Sequence, residues 1–175
     1  MSPFNQPDLL LRAAEASDAE SINRLIGLPG FRRNTLRLPF ESIEATRRRM
    51  FENRPAGLTT LVAVIGEEVV GLASLNRLAG RRSHVGQVNL GVHDAYLRRG
   101  IGRQLLSALI DLADNWLGLA RLELDVMVDN EAAIALYESA GFVEEGVARA
   151  AVLREGQLVD TVWMARLREP PTRPD

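Results

Sequence analysis

The sequence predicts a single α/β (α+β) domain built on a mixed, mostly antiparallel sheet. Seven short aliphatic segments are typical of strands, and about four segments with apolar residues three and four apart are typical of helices. Short glycine turns join two of the strand pairs, which indicates antiparallel hairpins. One strand–helix–strand unit, residues 88–128, needs a right-handed crossover and therefore a parallel pair. We expect that pair to splay apart and open a slot for a ligand.

The composition is that of a globular protein and excludes several kinds of site. Of the 175 residues, 46% are hydrophobic, and the net charge of −2 gives no general attraction to nucleic acid or to an anionic membrane. The absence of cysteine excludes thiolate chemistry, and the presence of only two histidines argues against a metal centre. No signal peptide or membrane-length apolar run is present, so we expect a cytoplasmic protein. Residues 1–7 and 169–175 are expected to be tails around a domain over residues 8–168.

The first part of the domain is expected to hold one strand and two helices. The aliphatic run 9–14 predicts the strand. Ser17 with Glu20 three residues later predicts a capping box at the start of the first helix, and Pro29 is expected to end it. After an irregular stretch, the second helix is predicted over residues 41–53, with Ile43 among its core residues.

The remaining elements follow in a regular order. Two apolar runs around Gly66 predict a hairpin, and a further strand is expected to start near Ser83. An amphipathic stripe predicts a helix from Ile101 to Trp116, with Trp116 facing the core. The last elements are then a strand, a short helix and two antiparallel strands, predicted over residues 121–128, 130–141, 142–153 and 158–167.

The most informative stretch is the turn Leu97-Arg98-Arg99-Gly100-Ile101-Gly102-Arg103, which joins the strand 88–92 to a helix. The first N–H groups of a helix have no intrahelical partner, and the helix dipole places positive charge there. Gly100 and Gly102 let an anion approach the backbone, and the arginines add full charge. The turn therefore predicts a phosphate site. A helix start that uses glycine only to turn is the alternative.

The turn resembles the acetyl-coenzyme A pyrophosphate loop of the Gcn5-related N-acetyltransferase (GNAT) family, although Leu97 stands where Gln or Arg is common. A second stretch, from Asn130 through Tyr137 to Gly141-Phe142, resembles the family's other signature. The segments 81–85 and 159–160 are further similar to the bacterial L-amino-acid N-acetyltransferase branch. The resemblance implies an acetyl-CoA-dependent N-acetyltransferase in which a small-molecule amine or amino acid attacks directly. It also implies a homodimer.

The resemblance implies roles for residues along the cofactor. The pyrophosphate is expected on residues 97–103, and backbone groups of Leu90 and Val92 are expected to bind the pantetheine arm and the acetyl carbonyl. Asn130 is expected to hydrogen-bond the pantetheine arm, and a plain N-cap role fits it equally well.

Tyr137 is the expected general acid, because a phenol of pKa about 10 stays protonated at neutral pH. A packed core tyrosine is the alternative, since Tyr137 lies on an apolar stripe. The general base is unassigned, because Gly86 and Gln87 stand where some family members have a glutamate. The remaining candidates are a base acting through water, His84, His93, Glu123 and Asp125.

The acceptor is expected to be a free L-amino acid with an apolar side chain. Arg81 and Arg82, before the strand that leads into the slot, are expected to bind its carboxylate, with His84 beside them. Leu36, in the loop 34–40, is expected to line an apolar pocket. Solvent-exposed loop arginines are the alternative at these positions. Alternative functions are N-acetylation of protein N-termini or antibiotics, and non-catalytic acyl-CoA binding.

Overall fold

The computed structural model describes residues 9–168, which contain seven strands and five α-helices. The strands are β1 (Leu9–Ala13), β2 (Leu58–Ile65), β3 (Glu68–Arg77), β4 (Val85–Val92), β5 (Arg121–Met127), β6 (Val143–Arg154) and β7 (Gln157–Leu167). The helices are α1 (Ala19–Ile26), α2 (Pro29–Arg33), α3 (Ile43–Arg47), α4 (Ile101–Asp111) and α5 (Glu131–Ser139). The predicted tails, residues 1–7 and 169–175, lie outside the described residues.

The strands form one mixed sheet in the order β1-β2-β3-β4-β5-β7-β6. Every neighbouring pair is antiparallel except β4 and β5, which run parallel, so the predicted fold class is confirmed. The parallel ladder joins Val85–Gln87 only to Arg121–Glu123. From Val88 onwards β4 has no partner in β5, and this opens the expected slot between the two strands.

Helices cover the two faces of the sheet with separate apolar cores. On one face, called the α1 face, α1 to α3 pack Ile22, Leu25 and Phe31 against β2 and β3. On the opposite face, called the α4 face, α4 and α5 bury residues such as Leu105 and Leu109. Burial of each such side chain contributes about 1.5–3 kcal/mol, so both helix layers hold the sheet firmly.

The first helix begins differently from the prediction. The capping box consists of Glu15 and Asp18, not of Ser17 and Glu20. Asp18 also pairs with Arg12 of β1 at 2.7 Å, and this ion pair holds its side chain at the start of the helix. Pro29 starts α2 instead of leading into an irregular stretch, which agrees with the preference of proline for the first turn of a helix.

Two predicted helices change pitch before they end. The helix expected over residues 41–53 is α3, capped by Ser42, followed by the π-helix Arg48–Glu52, and Ile43 is exposed. In the same way α4 continues as the π-helix Leu112–Trp116. A π-helix holds more residues per turn than an α-helix, which rotates the apolar stripe. Trp116 therefore lies on the surface, 77% exposed, and not in the core.

Candidate active site

A cavity of about 950 Å³ lies where β4 and β5 separate. Gly102, Leu136 and Tyr137 line it from the α4 face, and Phe31 and Met50 line it from the α1 face. Because both helix layers contribute to its walls, the cavity passes through the sheet along the slot.

The turn before α4 forms an open cradle at the α4-face end of this cavity. Arg98 and Gly100 have left-handed backbone conformations, with φ values of 61° and 80°, which direct the chain sharply into the helix. For Arg98 this conformation costs about 1–2 kcal/mol, and such strain is typical of ligand-binding turns. The helical ladder starts with the bond from Gln104 N–H to Gly100 C=O, 3.0 Å. The N–H groups of residues 101–103 are therefore free to bind an anion.

The space beside this cradle fits a phosphate group. A Cβ atom added to Gly102 would lie 3.3 Å from Leu136, so any side chain there would fill the cavity. Arg98 and Arg103 line the cavity, are exposed, and have no acidic partner among residues 9–168. Arg99 instead lies over the ring of Tyr96, 4.9 Å from its centroid, and does not line the cavity.

Strand β4 presents backbone groups to the slot. His93 N–H donates to Val70 C=O at 2.8 Å, and Leu78 N–H donates to Val85 C=O at 3.0 Å, so odd-numbered residues of β4 bond to β3. In a strand, successive backbone groups point in opposite directions. Leu90 and Val92 therefore direct their N–H and C=O groups into the slot. This is the orientation required for the predicted binding of the pantetheine arm and the acetyl carbonyl.

Asn130 stands at the start of α5 and lines the same cavity. Its side-chain oxygen accepts a hydrogen bond from Ala133 N–H at 3.3 Å, so the N-cap role is present. The side-chain amide nitrogen has no hydrogen-bond partner within the described part of the chain and remains available to a ligand.

Tyr137 is buried, with 5% of the residue exposed, and it lines the cavity. Burial, with a smaller contribution from the charge of Asp125, raises its pKa to about 12. No group among residues 9–168 hydrogen-bonds to its hydroxyl, although a buried tyrosine usually finds a partner. Tyr137 is thus a protonated donor whose hydroxyl is free for a ligand.

The two acidic candidates for the general base differ in whether their carboxylates are already paired. Glu123 is buried and paired with Arg82 at 2.7 Å and Arg121 at 3.0 Å. Burial opposes its ionisation, but the two arginines outweigh burial and lower its pKa. Asp125, two residues along β5, lines the cavity and has no paired cation among the described residues.

The two histidines lie elsewhere. His84 is exposed, and His93 accepts a hydrogen bond from Ala95 N–H and lies 3.5 Å from Glu68; neither residue lines the cavity.

The residues predicted to bind the acceptor are only partly brought together. Leu36 lines the cavity mouth and is 66% exposed. Arg81 and Arg82 lie in an exposed turn outside the cavity lining, and Arg82 is held by Glu123. The structure therefore separates the arginine pair and His84 from the cavity.

Sequence reasoning missed a polar floor on the α1 face of the cavity. Gly91 faces α2, since a Cβ there would meet the ring of Phe31 at 2.3 Å, and alternate residues along β4 share its face. Cross-strand neighbours share that face too. The floor consists of Thr60, Ser74, Asn76, Gln87 and Asn89.

Two arginines, Arg37 and Arg49, complete this side of the cavity. Arg37 lies in the loop after α2, and Arg49 belongs to the π-helix after α3. A signal for the floor was available, namely polar residues at alternate positions of otherwise apolar strands.

Two general features of the described residues bear on the kind of site. No helix within residues 9–168 is long and apolar enough to cross a bilayer. No three histidine or acidic side chains in this part of the chain come together as metal ligands.

Comparison with known proteins supplies the family. The model of the acetyltransferase (GNAT) family matches residues 28–142. L-amino acid N-acetyltransferase AaaT of Escherichia coli K12 is 36% identical over 162 residues, which cover 92% of this chain and 99% of that protein. N-alpha-acetyltransferase RimI of Mycobacterium tuberculosis is 44% identical over 85 residues, 48% of this chain and 51% of that protein.

A solved structure shows the same fold. The acetyltransferase yncA of Salmonella typhimurium, solved with its cofactor acetyl-CoA, superposes with a TM-score of 0.81 and 22% identity, covering 96% of this chain and 98% of that one. The family model and the whole-length relative agree with the family predicted from the sequence. The chain belongs to the acetyltransferase (GNAT) family.

Proposed function

We propose that this acetyltransferase acetylates the α-amine of a free L-amino acid with an apolar side chain. The observation that carries the proposal is the cavity through the sheet, which joins a phosphate cradle on the α4 face to a polar and apolar pocket on the α1 face. The similarity to AaaT over nearly the whole of both chains supports the choice of an amino acid.

The donor would lie along the α4-face half of the cavity. Residues 97–103, above all the free N–H groups of residues 101–103, would hold the pyrophosphate. Leu90 and Val92 would pair through their backbone groups with the pantetheine arm and the acetyl carbonyl. The Asn130 side-chain amide would hydrogen-bond the same arm. When bound, acetyl-CoA supplies an activated thioester to an attacking amine.

Asp125 would serve as the base for the acceptor amine. It belongs to the α1 face, because it lies two residues after Glu123, the ladder partner of Gln87. Asp125 and Tyr137 line the same cavity, and the charge of Asp125 contributes to the raised pKa of Tyr137. Asp125 would take the proton that the nitrogen loses as the new amide bond forms, directly or through one water molecule. Asp125→Asn should lower kcat without weakening acetyl-CoA binding, and an unchanged kcat would exclude this role.

Tyr137 would donate from the opposite side of the slot to the leaving sulfur. Its phenol stays protonated across the neutral range because its pKa is raised to about 12. The charge that develops on sulfur as the thioester bond breaks would be stabilised by this donor.

The α1 face would receive the amino acid. Its polar floor would orient the backbone of the acceptor, and apolar residues around it would contact the side chain. These apolar residues are Phe31, Leu36, Met50, Leu58 and Leu72. Asp94 and Asp125 are the carboxylates among the described lining residues, and Asp94 accepts a hydrogen bond from Gly30 N–H. One free carboxylate argues against a polyamine, which would need several.

The test is thiol release from acetyl-CoA with a panel of amines. L-methionine, L-phenylalanine, a methionine-initiated peptide and spermidine would be compared at equal concentration. We expect the free amino acids to give the highest kcat/KM. Turnover of the peptide alone would favour acetylation of protein N-termini. Binding of acetyl-CoA without thiol release for any amine would favour an acyl-CoA-binding domain.

A further inference from the structure

Arg37 is a half-buried cation in the cavity, and it has no ion-pair partner within the described part of the chain. It lies in the loop between α2 and α3 and lines the cavity on the α1 face. Among residues 9–168, its guanidinium forms no ion pair and no hydrogen bond. A guanidinium carries five N–H donors in a rigid fork, so this side chain leaves considerable binding capacity unused.

The other arginines that line the cavity are accounted for. Arg49 pairs with Glu41, whose Oε1 lies 2.7 Å from its Nη2, and the same oxygen accepts from the Thr46 hydroxyl at 2.9 Å. Glu41 therefore forms its ion pair with Arg49, and its charge acts on Arg37 only from beyond ion-pair distance. Arg98 and Arg103 are exposed and stand at the cradle for the pyrophosphate.

The surroundings of Arg37 make an incoming anion favourable. Burial and the nearby positive charge of Arg49 lower the pKa of Arg37, and the negative charge of Glu41 opposes them only in part. An arginine nevertheless remains charged in proteins at neutral pH. Removing a charge from water without a partner is costly, and an anion that enters the cavity offsets that cost. A carboxylate suits the site best, because its two oxygens match the guanidinium fork.

We infer that Arg37 binds the carboxylate of the acceptor, so that the enzyme selects amines that carry a carboxylate beside the nitrogen. This inference rests on the proposed function and adds its specificity residue. The acceptor would have its carboxylate at Arg37 and its nitrogen at the slot, towards Asp125. An amide, an ester or a simple amine would leave the guanidinium unpaired.

The experiment compares L-methionine with methioninamide in wild type, Arg37→Gln and Arg37→Lys. Wild type should favour methionine. Arg37→Gln should lower kcat/KM for methionine by about 10²-fold, mainly through KM, and change kcat/KM for methioninamide by less than about 3-fold. Arg37→Lys keeps the charge but loses the fork, so its loss for methionine should be smaller, roughly 10-fold.

Arg48→Gln is the matched control, because it removes the same charge from an exposed residue whose one acidic partner among residues 9–168 is Glu44, at 3.0 Å. It should leave the preference unchanged, and the acetyl-CoA affinity of all variants should equal that of wild type. Equal use of methionine and methioninamide by wild type, or an unchanged preference in Arg37→Gln, would overturn the inference while the amino-acid activity stands. Loss of the preference in Arg81→Gln or Arg82→Gln would overturn it in favour of those arginines. Failure of every free amino acid as a substrate would instead overturn the proposed function.

Discussion

The two faces of the sheet contribute to one cavity but build their halves from different groups. On the α4 face, the cradle consists of backbone N–H groups from one continuous turn, residues 97–103. On the α1 face, the pocket consists of side chains from strands β2 to β5, from α2 and the loop after it, and from the π-helix after α3. Backbone groups recognise a feature that every acetyl-CoA molecule carries. Side chains can change without altering the fold, so the α1 face is where acceptor choice can vary.

The largest effect is expected at Tyr137, where the two halves of the cavity meet. Tyr137→Phe should lower kcat by about 10²–10⁴, the usual range for loss of a positioned proton donor. Acetyl-CoA affinity should change little, because the rest of the ring keeps its place beside Phe142. Steady-state thiol release and calorimetry with acetyl-CoA provide the two readouts. Wild-type turnover in the variant would return Tyr137 to a purely structural role.

A change confined to the α4 face should affect the donor alone. Gly102→Asp places bulk and negative charge against the pyrophosphate, and roughly 3 kcal/mol of repulsion corresponds to about 10²-fold weaker binding of acetyl-CoA. Acceptor discrimination should be preserved at saturating acetyl-CoA.

Ser107→Asp supplies the control for this substitution, since it adds the same charge to an exposed position further along α4. It should bind acetyl-CoA normally. Unchanged affinity in Gly102→Asp, measured by calorimetry on folded protein, would mean that the turn is not the phosphate site.

The smallest effect is expected at the closed end of the slot, where Glu123 pairs with Arg82 and Arg121. Glu123→Gln should reduce the free energy of unfolding at neutral pH by about 1–3 kcal/mol, because two arginines lose their buried partner. Its folded pKa is lowered, so this stability is present above the unfolded value of about 4.3 and is lost as the pH falls through the folded pKa.

Urea denaturation of both proteins from pH 7 to pH 3 checks this prediction, and the difference between them should shrink at the acid end. Glu44→Gln, which breaks an exposed pair with Arg48, should cost at most about 0.5 kcal/mol. A gap that persists at low pH would mean that the carboxylate charge is not its source.

The contrast between the faces also explains what the sequence could predict. The strands follow from runs of aliphatic residues, and the cradle follows from Gly100, Gly102 and their arginines in one short stretch. Asn130 and Tyr137 lie two helical turns apart, so a local pattern also marks that edge of the cavity. In each case the residues are close in the chain, and local geometry is sufficient.

The acceptor side could not be predicted in this way, because it is assembled by tertiary packing. Arg37 and Asp125 lie far apart in the chain and meet the same cavity only because the sheet order brings their elements together. Arg81 and Arg82 looked suitable by their position in the sequence, yet the turn directs Arg82 to Glu123. Whether an arginine lines the cavity depends on how deeply it is buried and which acid it pairs with. Both depend on residues far away in the chain, so a short stretch of sequence does not reveal them.

The end of the parallel ladder at Gln87 gives this sheet a free edge in its interior. At the perimeter of a sheet, unpaired N–H and C=O groups can recruit strands from other chains and lead to aggregation. Here β5 stands across the gap and helices cover both faces, so another polypeptide cannot lie alongside Leu90 and Val92. A narrow, extended small molecule that carries amide groups can enter the slot and bind there. The chain thereby keeps the pairing capacity of an edge strand for a small ligand while hiding it from copies of itself.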